Sequence, residues 1–188
     1  MAKLYFRYGA MNSGKSTQLL QVAFNYEERH QTVAVFKSAF DDRDGVDIIR
    51  PRIGLERKVD RLIFPGDKIE VSVIPTPDCI LIDEAQFLSK AQIWQLSDLV
   101  DHFNIPVICY GIRSDAFGNL FPGSEQLMAI ADYIEELKTI CWCGKKAIMN
   151  ARIVDGHVIY SGEQVCVGGN DKYISLCRLH WKKDRIKP

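Results

Sequence analysis

The stretch Gly9-Ala-Met-Asn-Ser-Gly14-Lys15-Ser16 decides how this chain is read. It fits G-x-x-x-x-G-K-[ST], a loop that wraps backbone N–H groups around a polyphosphate. Glycine is needed where the chain approaches the anion closely, and the helix that follows offers its N-terminus to the same charge. Lys15 can reach the β- and γ-phosphates, and the Ser16 hydroxyl can ligate Mg²⁺. The expected nucleotide site is therefore Gly9, Ala10, Met11, Asn12, Ser13, Gly14, Lys15 and Ser16, with ATP and Mg²⁺ as cofactors. The apolar run Leu4-Tyr-Phe-Arg-Tyr precedes the loop and reads as a strand.

After this loop, Ser16 to Arg29 has helical spacing, with Leu19, Leu20, Ala23 and Phe24 on one face. Thr32-Val-Ala-Val-Phe, Ile80-Leu-Ile and Pro106-Val-Ile-Cys-Tyr are short apolar runs that read as buried strands. Ser89 to His102 reads as a helix capped by Ser89, with Ile93, Leu96, Leu99 and Val100 inward. Ser124 to Ala131 is a short helix and Tyr133 to Leu137 a last strand. Strands alternating with helices predict an α/β fold: a P-loop, RecA-like parallel sheet joined by right-handed crossovers. Two stretches fit no element. Phe40 to Arg61 is rich in Asp and Arg. Gly111 to Gly123 carries Phe117 and Phe121, which look exposed. Long loops in a compact domain often serve as lids or binding loops.

The strand Ile80-Leu-Ile delivers Asp83 and Glu84 to its carboxyl end, where open α/β sheets bind ligands. Asp83 suits the Mg²⁺ shell. Glu84 is placed to act on whatever attacks the γ-phosphate. Asp83, Glu84, Ala85 and Gln86 form the second half of the expected nucleotide site.

Six cysteines divide into two kinds. Cys79 and Cys109 lie in apolar runs and read as small buried hydrophobes. Cys141-Trp-Cys143-Gly and Cys177-Arg-Leu-His180 together supply three thiolates and an imidazole, the donor set of a closed structural zinc site. The first pair is C-x-C, and Gly144 allows a tight knuckle behind it. No site remains open for a catalytic water, so the metal is expected to pin a small part of the chain. From there the pattern changes to short β-prone runs, Ala147 to Val154 and His157 to Tyr160. These readings divide the chain into residues 1–138, a nucleotide-binding domain, and 139–188, a small C-terminal zinc-binding domain. His30, His102 and His157 have no comparable company.

Composition narrows the function. With 24 basic and 24 acidic side chains the formal charge is zero, which lacks the basic footprint of a dedicated nucleic-acid binder. A hydrophobic fraction of 47% with 26% charged residues is that of a folded globular chain. No apolar run is long enough to cross a bilayer, and Lys3 and Arg7 interrupt what would be an export signal, so a cytoplasmic location without membrane contact is expected. A P-loop with Asp-Glu suits an ATPase, a helicase-like motor or a kinase, and Asp83-Glu-Ala-Gln is also similar to the helicase DExx box. The alternative to a kinase is a P-loop ATPase module whose zinc knuckle acts on nucleic acid. The basic tail, with Lys182, Lys183, Arg185 and Lys187, reads more simply as a solvated end.

Five motifs together resemble the type II (zinc-containing) thymidine kinases: Gly9-Ala-Met-Asn-Ser-Gly-Lys-Ser-Thr, Leu81-Ile-Asp-Glu-Ala-Gln-Phe, Cys109-Tyr-Gly-Ile-Arg-Ser-Asp, Cys141-Trp-Cys-Gly-Lys-Lys-Ala and Val167-Gly-Gly-Asn-Asp-Lys-Tyr-Ile-Ser-Leu-Cys-Arg-Leu-His. The resemblance covers residues 3 to 181, and the C-x-C pair is similar to that of the proteobacterial branch. It implies transfer of the γ-phosphate of Mg-ATP to the 5′-hydroxyl of thymidine, with deoxyuridine as a second acceptor, giving dTMP in nucleotide salvage. It implies Glu84 as the catalytic base. It further implies that a loop of the zinc part, Gln164, Val165, Cys166, Val167 and Gly168, holds the nucleoside through its backbone, with Tyr173 beside the base or sugar. A homotetramer is expected by the same resemblance, which also leaves room for dTTP as a feedback inhibitor. An arginine of the Asp41-Asp-Arg43 loop could assist at the phosphates. Where the family often reads Asp-Phe-Arg-Gly, this chain has Asp115-Ala-Phe-Gly118, so an aromatic cover over the base would have to come from Phe117, displaced by one position.

Overall fold

The structure is a computed structural model that describes residues 1–40, 47–51, 54–70, 76–166 and 171–188. Its elements in chain order are β1 (Leu4–Tyr8), α1 (Lys15–Glu27), β2 (Val33–Ser38), β3 (Ile48–Ile49), β4 (Arg57–Lys58), β5 (Arg61–Ile63), β6 (Cys79–Asp83), a 3-10 turn (Ala85–Phe87), α2 (Lys90–Phe103), β7 (Val107–Gly111), α3 (Pro122–Ile130), β8 (Tyr133–Glu136), β9 (Thr139–Ile140), β10 (Lys146–Ala147), β11 (Met149–Val154), β12 (His157–Ile159), β13 (Tyr173–Leu176) and α4 (Arg178–Lys182).

Six strands form one sheet in the order β5-β2-β6-β7-β1-β8. Every pairing within it is parallel. The expected α/β sheet is therefore present. A parallel sheet is covered on both faces, which is why β6 and β7 are apolar along most of their length and wholly buried. Successive side chains serve opposite faces. Ala34, Phe36, Ile80 and Ile82 pack with Ile93, Leu96, Leu99 and Val100 of α2. Val35 and Leu81 pack with Leu19, Leu20 and Ala23 of α1. Cys79 and Cys109 are fully buried, as their apolar neighbours required.

Helix α2 starts as the sequence indicates. The Ser89 side chain accepts from the Gln92 N–H, and the Gln92 side chain accepts from the Ser89 N–H. A capping box of this kind satisfies two otherwise orphaned donors. Ser89→Ala is expected to cost about 1 kcal/mol of stability, typical for loss of an N-cap oxygen. A denaturant titration showing an unchanged midpoint would contradict it.

The structure corrects the sequence reading at several places. Phe24, expected on the inner face of α1, is 58% exposed. The buried stripe runs through Leu19, Val22, Ala23 and Tyr26, which leaves Phe24 on its flank. The stretch from Phe40 to Arg61 contains structure where none was expected. β3 and β4 pair antiparallel, and Ile49 and Val59 enter the core beside α1. Phe121, expected to be exposed, is buried against Phe87 with ring centroids 5.6 Å apart. Its loop folds back on itself. Asp115 Oδ1 accepts from the N–H groups of Phe117 and Asn119, and Trp181 Nε1 donates to the Ala116 carbonyl. Phe117 is half-buried rather than exposed.

Past residue 138 the architecture changes. β9 and β10 form a two-stranded ribbon around the Cys141–Cys143 knuckle, and β12-β11-β13 form an antiparallel sheet. A separate apolar cluster holds these pieces, built on Cys141, Ala147, Ala151, Val158, Leu176 and Cys177. Trp181 and Ile186 of the tail pack against it, so the tail is not wholly solvated. Among the described residues, no helix is long and apolar enough to cross a membrane.

Candidate functional site

The loop after β1 turns into α1 at Gly14, whose φ of +83° lies in the left-handed region where glycine carries no Cβ penalty. Gly14 caps the helix without a side chain, so the first-turn N–H groups are left for an anion. Lys15 is nearly buried, and its Nζ donates to the carbonyl oxygens of Gly9 and Ala10 at 3.3 and 3.1 Å. The lysine thus lies across its own loop. Ser16 Oγ donates to Asp83 Oδ2 at 3.2 Å. The first turn of α1 and the end of β6 therefore place a hydroxyl and a carboxylate side by side, the donor chemistry a hard divalent cation takes.

Asp83 is buried, and that burial, reinforced by the neighbouring Glu84 carboxylate, pushes its carboxyl up to about 7 against the pull of Lys15 and Lys37. The folded state therefore holds a proton that the unfolded chain loses from 3.8 upward. Because the folded state binds more protons in that window, this group's contribution to apoprotein stability falls as pH rises from about 4 to about 7. Asp83→Asn is expected to raise the melting temperature relative to wild type more at about pH 8 than at about pH 5. An equal difference at both values would contradict it.

Glu84 adopts a left-handed backbone, φ +52° and ψ +41°. Non-glycine residues rarely occupy this region, and they persist there when the surroundings over-determine them. Here the Glu84 N–H donates to Asp83 Oδ1 at 3.1 Å, and Gln86 Nε2 donates to Glu84 Oε2. Gln86 is buried, and its Oε1 accepts from the Ile112 N–H at 3.1 Å. That second bond fixes which end of the amide faces Glu84. The turn carrying both residues also receives α3 closely. A Cβ on Gly123 would meet the Ala85 carbonyl oxygen at 2.3 Å.

One cavity of about 660 Å³ joins this phosphate end to a second region. Met11, Asn12, Gly14, Lys15, Ser16, Asp83, Glu84 and Gln86 line the first end. Gln164, Val165, Cys166 and Tyr173 line the other. Val167 and Gly168 lie outside the described residues, as does Arg43. Gly9, Ala10, Ser13 and Ala85 lie in the same two turns and are not part of the wall. Phe117 is not part of it either. Ala116 and Phe121 stand there, while the Phe117 ring packs on the Arg152 guanidinium at 5.2 Å. Arg152 Nε and Nη2 donate to the Tyr173 hydroxyl at 3.2 and 3.1 Å, and that hydroxyl donates to the Cys166 carbonyl at 2.8 Å. Tyr173 is thus oriented from behind and in turn fixes the 164–166 segment.

Several wall residues were not anticipated. Phe40 stacks on Phe87 with centroids 5.2 Å apart, and Phe87 meets Phe121 edge-on. Lys37, Ile49 and Asn150 also line the wall. Lys37 follows the apolar residues 33–36 of β2 and is buried there, and a lysine directly after such a run is the one local signal that marked it.

The four expected metal ligands converge. The donor atoms of Cys141, Cys143, Cys177 and His180 all lie within 4.8 Å of one another. Cys141 Sγ is 3.4 Å from His180 Nδ1, and Cys143 Sγ is 4.0 Å from Cys177 Sγ. A tetrahedral zinc with ordinary bond lengths asks for donor separations of about 3.5–3.8 Å, so the residues fit that ion. Burial alone would raise the Cys141 thiol, but N–H donors of Cys143 and Cys177 and the His180 ring outweigh it and bring it down to about 6. A thiolate is what a metal needs. Trp142 stacks on the His180 ring at 4.2 Å, and Arg185 lies over Trp142 at 5.6 Å. His157, away from the cluster, is exposed and pairs with Asp184 at 2.6 Å.

Comparison with known proteins gives a consistent picture. The family model described as thymidine kinase matches residues 2–181. The chain is 55% identical to the thymidine kinase of Idiomarina loihiensis, over 97% of each chain. It is 51% identical to that of Listeria monocytogenes serovar 1/2a, over 95% of each. It is likewise 51% identical to the thymidine kinase of Vibrio cholerae, over 97% of this chain and 98% of that one.

Proposed function

Since the chain belongs to the thymidine kinase family, we propose that its cavity transfers the γ-phosphate of Mg-ATP to the 5′-hydroxyl of thymidine, giving dTMP and ADP. The observation that carries this reading is the continuity of the cavity between the phosphate loop and the Gln164–Tyr173 wall. A phosphoryl donor and a nucleoside acceptor must meet in one enclosed space, in line and away from water.

When bound, Mg-ATP supplies the phosphoryl group and part of the charge neutralisation that its transfer needs. The residues divide the rest. The phosphate loop and the N-terminus of α1 hold the β- and γ-phosphates, with Lys15 offsetting their charge. Ser16 and Asp83 would hold the Mg²⁺ ion. Glu84 accepts the 5′-hydroxyl proton as the oxygen attacks, with Gln86 setting its carboxylate. The 164–168 loop holds the base through backbone groups, and Tyr173 flanks it. Phe40, Phe87 and Phe121 offer an apolar, aromatic surface suited to a planar base.

The Cys141–Cys143–Cys177–His180 cluster would hold zinc in a structural role, as four protein ligands complete the tetrahedron. We read residues 1–138 and 139–188 as two domains. This is supported by the separate apolar cluster of the second part. A homotetramer, feedback by dTTP and a cytoplasmic location extend the same reading. ADP release tests it: stimulation by thymidine supports it, and stimulation by single-stranded DNA alone would overturn it.

A further inference from the structure

The β11–β13 ribbon carries two cross-strand pairs in alternate register, Arg152 opposite Tyr173 and Asn150 opposite Ser175. Side chains two residues apart share one face of a strand, at a spacing of roughly 7 Å. The two pairs reach different ends of the cavity. Arg152 Nη2 donates to the Gln164 carbonyl at 3.4 Å, and the Tyr173 hydroxyl to that of Cys166 at 2.8 Å. This pair sets the wall assigned above to the nucleoside.

The second pair grips the phosphate loop. The Met11 N–H donates to Asn150 Oδ1 at 2.8 Å, and the Ser175 hydroxyl donates to the Met11 carbonyl at 2.6 Å. Both polar groups of one loop residue are thus held by a strand pair distant in sequence. Asn150 Nδ2 donates to the Ser114 carbonyl at 3.3 Å, which fixes the amide with its oxygen toward Met11. Asn150 and Ser175 are buried. The ribbon's other face, with Ala151, Ile153, Ile174 and Leu176, belongs to the apolar cluster around the metal ligands. It is a short bar, anchored behind, that touches the phosphate loop and the nucleoside wall with adjacent side chains.

We propose that Asn150 and Ser175 are positioning residues that couple the two halves of the cavity, so that ordering the nucleoside wall also sets the phosphate loop through the Met11 peptide. This rests on the nucleoside-kinase reading. Coupling between two ligands is reciprocal, so thymidine must tighten nucleotide binding by the factor with which nucleotide tightens thymidine.

The test is calorimetric titration of the full-length, zinc-loaded protein with a non-hydrolysable ATP analogue and Mg²⁺, without and with saturating thymidine. In wild type, thymidine is expected to tighten the analogue by about 5-fold or more, within the usual range of such couplings. In the Asn150→Ala/Ser175→Ala variant the factor is expected to fall close to one while each ligand still binds alone. If that variant loses zinc or its cooperative melting, Ser175→Ala alone is expected to lower the factor and Ser175→Thr, which keeps the hydroxyl, to restore it. A purely structural role would weaken both ligands and leave the factor unchanged, and that result would overturn the proposal, as would a wild-type factor of one. Failure of wild type to bind thymidine at all would remove the kinase reading and this proposal with it. Intact binding with an unchanged factor removes only the coupling.

Discussion

Glu84→Gln is expected to lower kcat for dTMP formation by about 10²–10⁴-fold, the usual range for removal of a positioned general base. That corresponds to roughly 3–5.5 kcal/mol of transition-state stabilisation. The substitution preserves shape and hydrogen bonding. A glutamine at this position can still accept from Gln86, and its backbone can still donate to Asp83. Affinity for Mg-ATP should therefore stay near that of wild type, since the phosphate contacts come from the loop and from Lys15. The KM for thymidine should change little, because the base is held at the other wall. A loss confined to kcat marks an interaction made in the transition state. Turnover within a few-fold of wild type would remove Glu84 from the role of base.

The second large effect is loss of the metal. Cys177→Ser, or chelation, is expected to lower thymidine affinity by more than about 100-fold, beyond what loss of a mere outer-shell partner costs. The reason is the size of the core that the metal supports. Of the six buried residues in the apolar cluster past residue 138, Cys141 and Cys177 are themselves proposed ligands. Structural zinc contributes about 10–16 kcal/mol of apparent binding free energy, and so small a core has little to replace it. Tyr173 opens β13, the strand that runs into Cys177, so the nucleoside wall loses its anchor. Nucleotide affinity should fall less, because Gly14, Lys15 and Ser16 stand at the start of α1, on the parallel sheet's side of the Met11 contacts to the ribbon. Unchanged thymidine affinity in protein shown to have lost its zinc would contradict this account.

The parts legible in the sequence are those whose signal is local. β6 and β7 are near-continuous apolar runs because both faces of a parallel sheet are buried. α2 announces itself through its cap, Ser89, and the helical spacing of Ile93, Leu96, Leu99 and Val100. The four metal ligands are chemically conspicuous and converge as expected. What the sequence does not display depends on contacts between distant segments. Phe40, Phe87 and Phe121 belong to three separate stretches and form one aromatic wall only in the fold. Phe24 follows the helical period, yet the sheet meets the neighbouring stripe. β3 and β4 are two-residue strands, too short for alternation to show. Phe117 has the composition of a cover over the base, but the loop turns its ring onto Arg152. Asn150 and Ser175 are ordinary polar residues in β-prone runs, and nothing nearby in the sequence names Met11 as their partner.

The proposed reaction requires that one cavity bring a nucleotide's terminal phosphate to a nucleoside hydroxyl. The most direct measurement is the product balance of the purified, zinc-loaded protein supplied with Mg-ATP and thymidine, followed chromatographically over time. ADP and dTMP are expected to accumulate one for one, with neither appearing when thymidine is omitted. Accumulation of ADP without dTMP would contradict it.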